Sequence, residues 1–142
     1  MIEDRIVAGV SGSIFGLKQL YGLRLAPVVG PSMSPTLNPH LATLPTEKPP
    51  SHQFNDVVLV QSVDTDDLSV GSIVCIRHPK LSGAFLIKRL ARLYPDSTCW
   101  VTSDGGERKF LDSSILGPLS NESIVGRATH IVFPLSRVRR LC

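Results

Sequence analysis

The sequence has little of what marks a disulfide scaffold, a metal site or a nucleotide site. Its only cysteines are Cys75, Cys99 and Cys142. An odd number closes no disulfide framework, and none stands at C-x-x-C spacing. Cys75 lies in an apolar run and reads as a small core hydrophobe. The four histidines, His40, His52, His78 and His130, are scattered without ligand spacing, so no metal is expected. No Gly-rich phosphate loop is present, which leaves an ATP-dependent activity without support. Charge of one sign is also slight: 15 Lys+Arg against 12 Asp+Glu, a net +3. Nucleic acid is therefore not an expected partner. The one basic cluster, Arg137, Arg139 and Arg140, reads as a solvated tail or as a juxtamembrane contact with anionic lipid.

No clean apolar run reaches the roughly 20 residues that span a bilayer. Ile6 to Leu17 is mostly apolar and lies between Arg5 and Lys18. Extension to Val29 takes in Lys18, Gln19 and Arg24, and each Lys or Arg costs roughly 2.5–3.5 kcal/mol at a helix centre. Residues 1–27 are thus expected to be an apolar N-terminal segment, a short helix serving as a marginal membrane anchor or lying in the interface. Glu3 and Asp4 do not suit a mitochondrial presequence, and the positive start of a secretory signal is missing.

What is present is one domain's worth of chain, 142 residues, 42% of them hydrophobic. That content fills a core and excludes disorder over the whole length. Beyond the first segment, short apolar runs alternate with turn residues. Asp56–Val63, Ser72–His78, Ala84–Leu93, Thr98–Ser103 and Ile124–Phe133 read as strands, two of them stopped by Pro79 and Pro134. Strands this close together predict a mainly β domain over residues 28–142, with a barrel-like or coiled sheet. Asn38 to Asn55, with Pro39, Pro45, Pro49 and Pro50, reads as an exposed loop.

Two short stretches carry chemistry. In Val29–Leu37 (V-G-P-S-M-S-P-T-L), Gly30 and Pro31 force a tight approach to Ser32, and Pro35 prevents a regular helix after it. Such a turn exposes a hydroxyl and aligns backbone N–H groups, as an acyl-transfer nucleophile with its oxyanion hole requires. A plain Ser turn fits the same residues. In Ala84–Leu90, strand alternation places Leu86, Lys88 and Leu90 on one face and Phe85, Ile87 and Arg89 on the other. If the first face is inside, the Lys88 ammonium is desolvated and becomes a competent general base for a serine. If the second is inside, Lys88 is merely solvated. The residues alone leave both alternatives open.

At these residues the chain resembles the signal peptidase I family. The nucleophile motif S-M-x-P-T corresponds to Ser32-Met33-Ser34-Pro35-Thr36, and the Lys-Arg pair of the base strand to Lys88-Arg89. A G-D-x-V segment is matched by Gly71-Ser72-Ile73-Val74, with Ser replacing Asp. A further box is matched by Trp100-Val101-Thr102-Ser103-Asp104, then Asp112-Ser113, then Leu116-Gly117-Pro118. All four stand in order over about Val28 to Pro134. Ala128-Thr129-His130-Ile131 and Asn38-Pro39 are similar to the mitochondrial inner membrane protease subunit 2 branch.

The resemblance implies a signal-peptidase-like fold and a Ser–Lys endopeptidase that needs no cofactor. Ser32 would attack the scissile carbonyl, Lys88 would take its proton, and the Ser32 backbone N–H would help hold the oxyanion. Asp104, Asp112 and Ser113 would support the loop. Met33 would lie beside the nucleophile on a substrate-facing or lipid-facing surface, a core methionine being the alternative. Substrates would be precursor proteins whose sorting peptides are removed at the intermembrane-space side of the mitochondrial inner membrane, after small residues. The partner would be a homologous protease subunit in a heterodimer. Two departures bear on activity. The serine that orients the lysine in the family falls at Phe110 here, so Lys88 is expected to lack that partner. The basic residue usually paired with Asp112 falls at Ser114. These departures motivate a rival reading, a weakly active subunit that stabilises its partner. A self-cleaving Ser–Lys regulator is a second rival, disfavoured by the apolar N-terminus.

Overall fold

The computed structural model describes residues 5–7, 22–42, 54–105 and 110–141. Among them run nine strands: β1 (Arg5–Val7), β2 (Leu23–Pro27), β3 (Val57–Gln61), β4 (Ile73–Arg77), β5 (Ala84–Leu93), β6 (Thr98–Thr102), β7 (Leu119–Ser120), β8 (Ile124–Phe133) and β9 (Arg139–Arg140). One short helix, α1 (Ser113–Leu116), follows β6. The strands form a single antiparallel sheet in the order β2-β3-β8-β4-β5-β6-β7, with β1 added to β5 and β9 to β8. It curls into a half-barrel, so the fold is mainly β as expected.

The curl comes from the two long strands. One edge of β5 pairs with β4, while its other edge is shared between β1 at Ala84–Leu86 and β6 at Arg89–Leu93. Likewise β8 gives one edge to β3 and divides the other between β4 and β9. Register shifts at Leu90/Arg92, Cys75/Ile76 and Leu59/Val60 add local twist along these pairings. Gly126 sits at one such shift. A Cβ there would lie 2.5 Å from the Gln61 carbonyl oxygen and 2.7 Å from Val60 Cγ1, so only glycine lets β3 approach β8 this closely.

Apolar residues cover both faces of the central strand. Ile73 and Cys75 enter one cluster with Val58, Val60, Ile87 and Ile131. Val74 and Ile76 point the other way, into a second cluster with Leu90, Cys99, Val101 and Leu119. This is why Ser72–His78 reads as an unbroken apolar run rather than an alternating one. Each fully buried Val, Leu or Ile contributes about 1.5–3 kcal/mol.

Three expectations need correction. The N-terminal helix does not include Arg5–Val7, which pair as a strand with Leu86–Ala84; the rest of the expected helix and most of the apolar run lie outside the described residues. The sheet also begins ahead of residue 28, since β2 is hydrogen bonded along β3. Asn38–Asn55 is not uniformly an exposed loop. Pro39–Ala42 form a 3-10 turn and Asn38 is fully buried, while residues 43–53 lie outside the described part. Among the described residues no helix is long and apolar enough to cross a membrane.

Candidate active site

Lys88 stands opposite Val74 in the β4–β5 ladder and shares a face with Leu86 and Leu90. That face is inside. Lys88, Leu86 and Leu90 are each 0% exposed, whereas Arg89 on the opposite face keeps 27% of its side chain in solvent. A buried ammonium is costly unless its N–H groups are accepted, and Lys88 reaches two hydroxyls. Its Nζ lies 3.0 Å from Ser32 Oγ and 3.1 Å from Ser103 Oγ. The Phe110 ring lies beside the amine, its centroid 5.7 Å from Nζ. The structure thus brings Ser32 and Lys88 together across 56 residues of sequence.

Ser32 sits in the turn that Gly30, at φ +87°, admits to the sheet. The turn is tied internally from Ser34 N–H to Pro31 O (2.9 Å) and from Leu37 N–H to Met33 O (2.9 Å). The Ser34 hydroxyl donates into the Leu37 and Asn38 carbonyls at 3.1 and 2.7 Å. Asn38 then clamps the two arms of the turn. Its amide nitrogen donates to Val28 O and Gly30 O at 2.9 and 3.1 Å, and its Oδ1 accepts the Asp56 N–H at 2.6 Å. Its φ of +51° is one that asparagine tolerates better than most residues. Asn38 was not among the residues singled out from the sequence. Its one signal is the Asn-Pro pair that follows the nucleophile motif.

The second wall comes from the end of β6 and the chain after it. Asp104 accepts Arg89 Nε at 3.2 Å and the Thr36 hydroxyl at 2.8 Å, joining the base strand to the serine turn. Gly105 N–H donates to Ser32 O at 2.7 Å. A Cβ on Gly105 would strike Phe110 at 2.6 Å and the Pro31 and Ser32 carbonyls at 3.0 Å, so glycine is required. Asp112 caps α1. Its Oδ1 accepts the Ser114 N–H and hydroxyl at 2.9 and 2.6 Å, and its Oδ2 accepts the Ser103 N–H and hydroxyl at 3.0 and 2.8 Å. Burial pushes the Asp112 carboxyl up, but the Ser114 and Ser103 hydrogen bonds and the charge of Lys88 together outweigh it and hold it below its ordinary value. The Ser113 hydroxyl accepts the Val101 N–H at 2.9 Å and fastens α1 to β6. Among the described residues no three His, Cys, Asp or Glu side chains converge to hold a metal.

Two expectations change here. Lys88 does not lack a hydroxyl beside Ser32, because Ser103 supplies one from the end of β6. Met33 is 1% exposed and packs in the first cluster with Leu37, Val58 and Ile131. The hydrogen-bonded turn points its thioether inward, so it is a core methionine rather than a surface one.

A curled antiparallel sheet that carries these four motifs in order has the pattern of the signal peptidase I class. No family model and no solved structure matches the chain. Curated relatives do. The mitochondrial inner membrane protease subunit 2 of Danio rerio is 32% identical over 135 residues, covering 82% of this chain and 68% of the relative. The Mus musculus protein of the same name is 31% identical and covers 82% and 71%. That of Saccharomyces cerevisiae is 29% identical and covers 81% and 71%. The chain belongs to the signal peptidase I family, in the branch of mitochondrial inner membrane protease subunit 2.

Proposed function

We propose that the protein is a serine endopeptidase of the mitochondrial inner membrane that works through Ser32 and Lys88. The observation that supports this most directly is a fully buried amine 3.0 Å from the Ser32 hydroxyl oxygen. Burial disfavours the charged form of the amine, and a neutral amine accepts a proton. Lys88 Nζ takes the Ser32 hydroxyl proton as Oγ attacks the scissile carbonyl carbon. The oxyanion of the tetrahedral intermediate is held by the Ser32 backbone N–H. Collapse breaks the C–N bond, and the Lys88 ammonium gives its proton to the leaving amine. Water, deprotonated by the again neutral amine, then hydrolyses the acyl-serine ester and frees Ser32.

The relatives' printed names support a protease subunit at the mitochondrial inner membrane. On this reading the chain works with a homologous subunit and faces the intermembrane space. It removes sorting peptides from precursor proteins after small residues, which a shallow apolar pocket beside an extended peptide would select. Asp104, Asp112 and Ser113 hold the loop that carries Ser103.

Ser32→Ala and Lys88→Met should each lower cleavage of a precursor by at least about a thousand-fold, with the melting temperature of the Lys88→Met protein close to wild type because Met fills a similar volume. Cleavage at the wild-type rate by Ser32→Ala would end the proposal. The rate should also fall on acidification, since a protonated Lys88 cannot take the serine proton. A flat profile from mildly acidic to alkaline pH would mean that another base is used.

A further inference from the structure

We propose that β1 is a built-in competitor of the substrate: Arg5–Val7 occupy the edge of β5 along which an extended precursor peptide has to lie to reach Ser32 and Lys88. This rests on the Ser–Lys reading above and adds a regulation of that same site. β5 has two edges. On one, Phe85–Arg89 pair with β4. On the other, Arg89–Leu93 pair with β6. The stretch left on that second edge runs from Ala84 to Lys88, and β1 takes it at Ala84, Phe85 and Leu86. Leu86 is fully buried and shares the inward face of Lys88. An open strand edge is a template for an extended peptide. This one leads straight to the buried amine that lies 3.0 Å from Ser32 Oγ.

The position of β2 supports the same reading. β2 runs into the serine turn, and the backbone of β1 comes within 8 Å of β2 as well as of β5. Arg24 of β2 also reaches over the Phe85 ring of β5, its guanidinium carbon 5.5 Å from the centroid. β1 therefore touches both the strand that leads to the nucleophile and the strand that carries the base. The direction of the pairing says what it does there. β1 is antiparallel to β5, with Arg5 opposite Leu86 and Val7 opposite Ala84. The chain after Val7 thus leaves on the side away from Lys88, so β1 fills the edge without presenting its following bonds to the dyad. The block is also reversible by design of the chain. Only three residues pair, which is weak by itself, but β1 is tethered to β2 through residues 8–22. A short tether gives a millimolar effective concentration. A substrate that binds better displaces β1, and one that binds poorly does not.

The test uses the full chain in its membrane complex and a peptide with alanine at the first and third positions before the bond. Ile6→Pro/Val7→Pro removes two adjacent backbone donors, one of which faces β5 in an antiparallel ladder. The expected result is a KM about three- to ten-fold lower, with kcat and melting temperature as in wild type, because a tethered competitor acts only on binding. The opposite change locks β1 in place. Val7→Cys/Ala84→Cys puts two thiols at directly opposed positions, within the span of a disulfide. It is made in a Cys142→Ser background, Cys75 and Cys99 being buried. Oxidation should lower cleavage at least about ten-fold, and dithiothreitol should restore it. An unchanged KM in the proline variant overturns the inference. So does failure of the introduced thiols to join, or a joined form as active as the reduced one. If the proline variant does not fold, the cysteine pair decides, since its reduced form is its own control. Intact-mass spectra should show β1 retained through turnover; a cut just after it would make β1 a substrate and overturn the block. Ser32→Ala run alongside separates the two ideas. Full activity there defeats the Ser–Lys reading itself, whereas an inactive Ser32→Ala beside an unmoved KM in the proline variant defeats only the role of β1.

Discussion

Asp112 accepts four hydrogen bonds on two oxygens, all of them from the N–H and hydroxyl groups of two serines, Ser103 and Ser114. Hydroxyls and backbone N–H groups are what hold it. Four donors hold a charge well, and they hold this one below its ordinary value of 3.8 against the opposing effect of burial. The consequence for stability has a definite sign. A carboxyl whose folded pKa is depressed contributes fully above its unfolded value, and the contribution is lost as pH falls through the lower folded value. Asp112→Asn should therefore cost about 1–3 kcal/mol near neutral pH, and the difference from wild type should shrink below about pH 4. Urea unfolding at several pH values measures it. A difference constant from neutral to strongly acidic pH would show that the charge of Asp112 is not what stabilises.

At the scale of elements, the decisive feature is that two long strands each change partner partway along. The serine turn lies against the face of β5 that carries Lys88. Backbones of paired strands also come closer than side chains normally allow, and Gly126 marks the tightest point. Gly126→Ala should destabilise the protein by about 1–3 kcal/mol, because Ala forces its methyl into the Gln61 carbonyl and Val60. Amide hydrogen exchange should show the loss first along β3 and β8. Unchanged protection there would mean that the sheet accommodates a Cβ by shifting. Gly105 makes the corresponding contact beside Ser32, so an alanine there should lower activity as well as stability.

Over the whole molecule, segments far apart in sequence meet near the serine turn. Asp56 is fully buried and joins Asn38 N–H at 3.0 Å to the Arg137 guanidinium, whose Nε lies 2.8 Å from Asp56 Oδ1. The hydrogen bond to Asp56 raises the Arg137 pKa above its ordinary value. Arg137 also reaches the Thr36 carbonyl at 3.3 Å. So one residue of the basic cluster that reads as a solvated tail is structural; it pins the C-terminal turn to the loop that carries Ser32. Removal of Arg137 leaves a buried carboxylate with its neutral partners only. Such a loss costs about 3–5 kcal/mol when both groups are buried. With 28% of the Arg137 side chain exposed, about 2–3 kcal/mol is expected for Arg137→Ala. Chemical denaturation measures it, and a change under about 0.5 kcal/mol would show the pair to be incidental.

Composition and local pattern by themselves determined much of this. Ala84–Leu93 and Ile124–Phe133 are legible as strands because period-two alternation, β-branched residues and flanking Pro or Gly are local properties of the chain. The choice of Ser32 and Lys88 rested on the resemblance of their two motifs to the signal peptidase I family, since the residues alone left a plain turn and a solvated lysine open. The short strands β1, β2, β7 and β9 were not legible, since their pairing is set by neighbours distant in sequence. Asn38 and Ser103 were missed for the same reason: a polar residue in a loop shows no periodicity, and its role exists only where another segment presents a donor or an acceptor. The sequence could say that one face of β5 holds a lysine between two leucines. Which face lies inside, and which hydroxyl meets the amine there, depends on how the sheet curls. That depends on the summed burial of two apolar clusters on opposite faces of β4, a quantity no single stretch of sequence contains.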